Sequence, residues 1–175
     1  MEANLWVVMA LWLGLMPSGE PVPQSGSLGV ALIERAGGFG SRAQVEHWFG
    51  PAGDGFGLAA EGSLDPAMTL WAAGLRYRWG HEHAAVWPLV GWRGQWNGLQ
   101  GPECGLGGEV GFGAGTAAVR GEAGWTFGLN GQVATGIRLS SRYRVLRPFD
   151  LEASYRLESW PAWSQVWGLG VNLVW

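Results

Sequence analysis

From about Ser27 to the last residue, hydrophobic and polar positions alternate with period two, the signature of strands with unlike faces. In Thr69 to Trp79 one face reads Thr69, Trp71, Ala73, Leu75, Tyr77, Trp79 and the other Leu70, Ala72, Gly74, Arg76, Arg78. Val119 to Leu129 sets Val119, Gly121, Ala123, Trp125, Phe127, Leu129 against Arg120, Glu122, Gly124, Thr126, Gly128. The alternation recurs in 132–140, in 149–158 and, most strongly, in 163–175. Weaker segments of the same kind fall at 28–36, 42–49, 55–64, 85–97 and 105–114. Turn signals lie between them: Pro51 to Gly55, Leu64 to Pro66, Asn97-Gly98, Gly101-Pro102, Asn130-Gly131, Arg147-Pro148 and Trp160-Pro161. Ten strands of about 11 residues with connections of about four fill residues 27–175, and membrane strands need ~9–11 residues. The expectation is a closed antiparallel barrel of ten strands, with eight as the alternative. The longest candidate loops are 97–104 and 142–148, too modest for an elaborate adhesin or receptor apparatus.

The period does not say which face is buried. In a soluble ligand-binding barrel the apolar face points inward, and in a membrane barrel it points outward. Composition separates the two. Only 14% of the 175 residues are charged, 31 are Gly and 13 are Trp, and no Lys is present. A water-exposed surface usually carries about 25–35% charge. The charges also share one face: Arg76, Arg78, Arg93, Arg120, Arg138, Arg142 and Arg156 with Glu46, Glu61, Glu109, Glu122, Asp150, Glu152 and Glu158. An Arg facing lipid at the midplane costs ~2–4 kcal/mol, whereas Arg and carboxylate can pair inside a tube. Glu61, Arg76, Arg78, Arg93, Glu109, Arg120, Glu122, Arg138, Arg142, Asp150, Glu152 and Arg156 are therefore the expected lumen network. The sixth strand offers Gly105, Gly107, Glu109, Gly111 and Gly113 to the lumen, leaving space for Trp87 or Arg78 from other walls, or for water.

The aromatic residues fit the outward face. Trp71 and Trp79 share a face eight residues apart, ~26 Å along a strand, and Trp167 and Trp175 repeat the spacing. With strand tilt this matches an apolar band ~25 Å tall. Trp71, Tyr77, Trp79, Trp125, Trp167 and Trp175 are the expected interfacial girdle.

The apolar run Leu5 to Met16 is too short to span a bilayer as a helix and has the length of the core of an export signal. Residues 1–26 are read as signal and lead-in, 27–175 as barrel. The formal net charge of -3 argues against nucleic-acid binding. A single cysteine, Cys104, excludes an internal disulfide, and its Gly-Pro-Glu-Cys context reads as an outer loop.

The chain resembles a bacterial outer-membrane β-barrel protein, of the size of the small OmpX- and OmpW-like barrels. The residues that carry the likeness are the final strand, with Trp167, Leu169, Val171, Leu173 and Trp175 at every second position and an aromatic terminus. That is similar to the C-terminal assembly signal read by the outer-membrane insertion machinery. The resemblance implies outer-membrane location, a lipid environment and that machinery as assembly partner. It implies no cofactor and no metal, and a structural or narrow-pore role.

Candidate catalytic chemistry is sparse. His81-Glu82-His83 is the one metal-like cluster, and three residues in a row lack the spread of a closed site, so a turn is the simpler reading. A lipid-modifying enzyme is the alternative function, but none of the three His residues has a Ser two positions on. No catalytic residue is assigned.

Overall fold

A computed structural model describes residues 26–35, 38–50, 54–65, 69–81, 84–96, 98–112, 116–159 and 162–175. The N-terminal segment read as an export signal, and Glu82 and His83, lie outside the described residues.

The alternating segments form ten strands: β1 Gly26–Arg35, β2 Gly38–Phe49, β3 Gly55–Leu64, β4 Thr69–His81, β5 Ala84–Gln95, β6 Gln100–Phe112, β7 Ala117–Phe127, β8 Val133–Leu146, β9 Phe149–Glu158 and β10 Ser164–Val174. Each pairs antiparallel with its sequence neighbours, and β1 pairs with β10, so the sheet closes and no edge remains. Pairing partners drift along the strands. Val30 in the middle of β1 leads through Ala43, Gly62 and Trp71 to Gly94, near the end of β5. This stagger is the shear that tilts strands in a closed barrel.

Both termini meet at one end, where Gly26 N–H donates to Trp175 O at 3.0 Å and Trp175 N–H returns a bond to Gly26 O at 3.1 Å. We call this the terminal end and the other the far end.

One turn and two loop lengths read from the sequence are corrected. Gly101-Pro102 is not a turn. β6 starts at Gln100, with Pro102 opposite Trp92 of β5. Pairing of β6 with β7 begins only at Glu103–Thr126, so Pro102 sits where β6 has a strand partner on one side alone and its missing N–H is tolerated. The expected loop 97–104 is thus mostly strand. Cys104, placed in that loop by the sequence, stands instead on the exposed outer face of β6 between Val90 and Trp125. Similarly β8 runs on to Leu146, and the expected loop 142–148 shrinks to Arg147 and Pro148. The Asn130-Gly131 turn is present, with Gly131 at a φ of 80°.

The barrel is built inside-out. Among the described residues, seven hydrophobic side chains are buried and twelve polar or charged ones are. The exposed set is apolar: Leu28, Val30 and Leu32 on β1, Leu75 on β4, Leu139 on β8, Leu169, Val171 and Leu173 on β10. In water such a surface would cost about 25 cal/mol for every apolar Å² exposed. It is stable only against hydrocarbon.

Candidate functional site: the charged lumen

Period two aims the odd positions of β4 and the even positions of β2, β7, β8 and β9 in opposite senses, and closure turns one sense into the lumen. Ten arginines of the described residues enter ion pairs there: Arg35, Arg42, Arg76, Arg78, Arg93, Arg120, Arg138, Arg142, Arg144 and Arg156. Their partners are nine carboxylates: Glu46, Glu61, Asp65, Glu103, Glu109, Glu122, Asp150, Glu152 and Glu158.

Toward the terminal end the pairs close a ring. Arg76 reaches Glu46 at 2.8 Å and Glu122 at 2.9 Å, and Arg120 reaches the same Glu46 at 2.7 Å and Glu122 at 2.9 Å. Two guanidinium forks from β4 and β7 thus hold two carboxylates from β2 and β7 across the barrel. Two indoles share this layer. Trp48 donates to Glu46 at 2.5 Å and Trp87 donates to Glu122 at 3.2 Å. Arg120 stacks over Trp87 at 4.6 Å and Arg78 over Trp48 at 5.6 Å. Glu109 pairs with Arg142 and, at 4.0 Å, with Arg78. Arg144 and Asp150 pair at 2.8 Å beside this layer.

Toward the far end the pairs form a chain. Arg138 joins Glu61 at 2.8 Å to Glu152 at 3.1 Å, and Arg42 caps Glu152 at 2.8 Å. Gln44 and Asn172 donate to the remaining Glu152 oxygen at 3.0 and 2.9 Å. Arg156 pairs with Glu61 and reaches Glu158 at 3.2 Å. Arg35 spans Glu158 at 2.9 Å and Asp65 at 3.0 Å, and Arg93 pairs with Glu103 at 3.0 Å. Sharing carboxylates between arginines fills lone pairs that a single partner would leave dry, which is what offsets the desolvation of buried charge.

A cavity of about 90 Å³ lies between the two layers, lined by Arg76, Arg120 and Glu122 on one side and Glu61, Arg138 and Arg156 on the other. That is room for several waters.

All twelve residues that the sequence sorted into the lumen network are brought together there. The twelve did not include Glu46 and Glu158, which the sequence sets on the charged face, and sequence reasoning left out Arg35, Arg42, Glu103 and Arg144, and the turn residue Asp65. Glu103 and Arg144 sat in segments read as loops. Arg35 and Arg42 lie on β1 and β2, where the alternation is weakest, though the Ile33/Arg35 and Arg42/Gln44 spacing carried the signal.

The girdle residues face outward in two bands. Trp71, Trp125 and Trp167 lie toward the far end, and Tyr77, Trp79 and Trp175 toward the terminal end. Trp79, Trp175, Trp125, Trp167 and Trp71 are all among the exposed large apolar side chains. Tyr77 stands edge-on between Phe56 at 4.7 Å and Trp79 at 4.8 Å, and Tyr155 packs on Trp167 at 4.6 Å. The β10 positions Leu169, Val171 and Leu173 complete an unbroken apolar outer face between Trp167 and Trp175.

The one fully described histidine, His47, faces outward beside Phe49 at 4.5 Å. Among the described residues no group of three or more His, Cys, Asp and Glu is arranged to hold a metal ion.

No family model matches the chain, and no curated protein matches its sequence. Solved structures do. The KdgM porin is 12% identical with a TM-score of 0.53, over 85% of this chain and 99% of that one. The KdgM porin in complex with disordered oligogalacturonate gives 12% identity and a TM-score of 0.52 over the same shares. At this identity the likeness carries the fold: a small β-barrel of the outer-membrane type.

Proposed function

We propose that this chain is an outer-membrane barrel whose lumen is closed at rest by its own side chains. The observation that carries this reading is the inversion of the barrel, with an apolar outer face banded by aromatics around a lumen crossed by shared Arg–carboxylate pairs. The outer face supports a lipid environment. The final strand supports delivery by the insertion machinery, and the apolar N-terminal run supports export.

Between a structural barrel and a pore, the lumen supports the first. Ion pairs from β2, β4 and β7 meet in its interior, and those from β2, β8 and β9 meet in a second layer. The space left between them is a cavity of about 90 Å³, walled on both sides by these pairs. KdgM is a porin, and a solute path through this chain would need its layers to part. An enzymatic role gains nothing from the described residues, whose carboxylates are all engaged with arginines inside the barrel or stand apart at its rims.

Refolded protein in planar bilayers tests the reading. We expect no discrete steps in the wild-type chain across repeated reconstitutions, and no swelling of proteoliposomes in small sugars. Regular steps of defined size would overturn the closed lumen and support a narrow pore. Loss or transfer of acyl chains on incubation with lipid A would overturn the non-enzymatic reading.

A further inference from the structure

The two layers that close the lumen differ in kind. The far layer consists of ion pairs. The terminal layer adds two aromatic rings, each lying over a glycine of the neighbouring strand. Trp87 is a fully buried side chain. It lies against Gly107 of β6, where a Cβ would fall 2.2 Å from the indole nitrogen. Trp48 lies against Gly57 of β3, where a Cβ would fall 2.6 Å from its ring. The rings meet edge-on at 6.0 Å with an angle of 65°. Arg78, Trp48, Trp87 and Arg120 thus form one chain of contacts in the lumen, and Glu46 and Glu122 accept from the indole N–H groups. Glycine at 57 and 107 is required by this fit, since any side chain would displace a ring.

The far layer is looser at one residue. Among the ion-paired arginines Arg93 has the most exposed side chain, at 24%. Its bond to Glu158 is stretched to 3.5 Å, which leaves the 3.0 Å pair with Glu103 as its closer contact. Gly136 faces it, and a Cβ there would lie in ordinary contact, 3.8 Å from the guanidinium. Glu158 keeps Arg35 and Arg156 when Arg93 swings away. The position matters because the central cavity and a second one of about 30 Å³ nearer the far end share Arg93, Glu103 and Gly136 as walls.

We infer that the lumen is a chamber entered from the far end only, with Arg93 as its movable latch and the Trp48–Trp87 stack as the fixed permeation barrier. The occupants are water and small inorganic ions. This rests on the reading of the chain as a closed membrane barrel. A partly solvated ion pair exchanges readily and weakens with salt. Moving a seated indole requires breaking its N–H bond, its cation–π contact and its packing together. In a path with two barriers in series the higher one sets the current, so the two sites have unequal effects.

Single-channel recording in potassium chloride tests this, using Trp87→Ala, Arg93→Ala and the double variant, each first shown to fold by heat-dependent gel migration. We expect silence from the wild type and from Arg93→Ala, discrete steps from Trp87→Ala, and larger steps from the double variant. Steps from Arg93→Ala matching those of Trp87→Ala would overturn the assignment of the barrier, as would a folded, silent Trp87→Ala. Wild-type steps that Trp87→Ala leaves unchanged would overturn the closed-lumen reading itself. Should Trp87→Ala not fold, Trp48→Ala, which empties the Gly57 seat, carries the same expectations.

Discussion

At the scale of single residues, what matters is how many partners a buried charge keeps. Arg138 stands between Glu61 and Glu152 and also donates to Gln44. Its removal leaves Glu61 with Arg156 and Glu152 with Arg42, Gln44 and Asn172, each carboxylate short of one guanidinium. Breaking a buried pair typically costs ~3–5 kcal/mol, so Arg138→Ala should lower the urea midpoint of the micelle-bound barrel by a corresponding amount. Arg147, exposed in the turn between β8 and β9, is the control, and Arg147→Ala should change stability by no more than ~0.5 kcal/mol. Much of this network is legible in the sequence, because a charge at the right parity of a strand can only face the lumen. Glu103 was hidden by its neighbour Pro102, whose turn chemistry overrode an alternation that in fact continues through Gly101, Glu103 and Gly105. The pairing of particular arginines with particular carboxylates was not legible, because it depends on the stagger of the whole barrel.

At the scale of the strand, parity decides the environment of each side chain. Leu169 of β10 lies on the outer face and is 70% exposed, one residue from inward Gly168 and Gly170. Leu169→Arg should therefore destabilise the barrel in lipid by ~2–4 kcal/mol, measured by reversible unfolding in vesicles. A loss below ~1 kcal/mol would mean that this face does not meet hydrocarbon. Cys104 offers a second reading of the same geometry. A spin label at Cys104 should collide more with dissolved oxygen than with a water-soluble nickel complex. The reverse order would return Cys104 to a loop in water. The strand ends were the least legible features. β6 extends through the turn residues Gly101 and Pro102, where closure of the sheet overrides the local preference, while β8 extends through Tyr143 and Val145, which suit a strand. One irregularity remains local: β4 and β5 pair at Arg76–Leu89 and again at Trp79–Val86, with Pro88 in the gap. On its other side β5 stays paired with β6 through Trp87–Gly107 and Pro88–Leu106.

At the scale of the molecule, the account turns on one inversion: apolar outside, charged inside. The excess of Trp and Gly and the scarcity of charge in the composition follow from it, since only a barrel without a water-facing wall can be built this way. The two bands, with Trp71, Trp125 and Trp167 at one end and Tyr77, Trp79 and Trp175 at the other, set the depth at which the barrel should sit. Lipids brominated near the headgroup should quench its tryptophan emission more than lipids brominated deep in the chain. Folding in the presence and absence of a membrane mimetic tests the inversion most directly. The chain should stay unfolded or aggregate in buffer, and in detergent micelles or short-chain lipid vesicles it should form a β-structured species that migrates differently on a gel before and after boiling. A chain that folds to a soluble, monodisperse barrel in buffer without detergent would contradict the account.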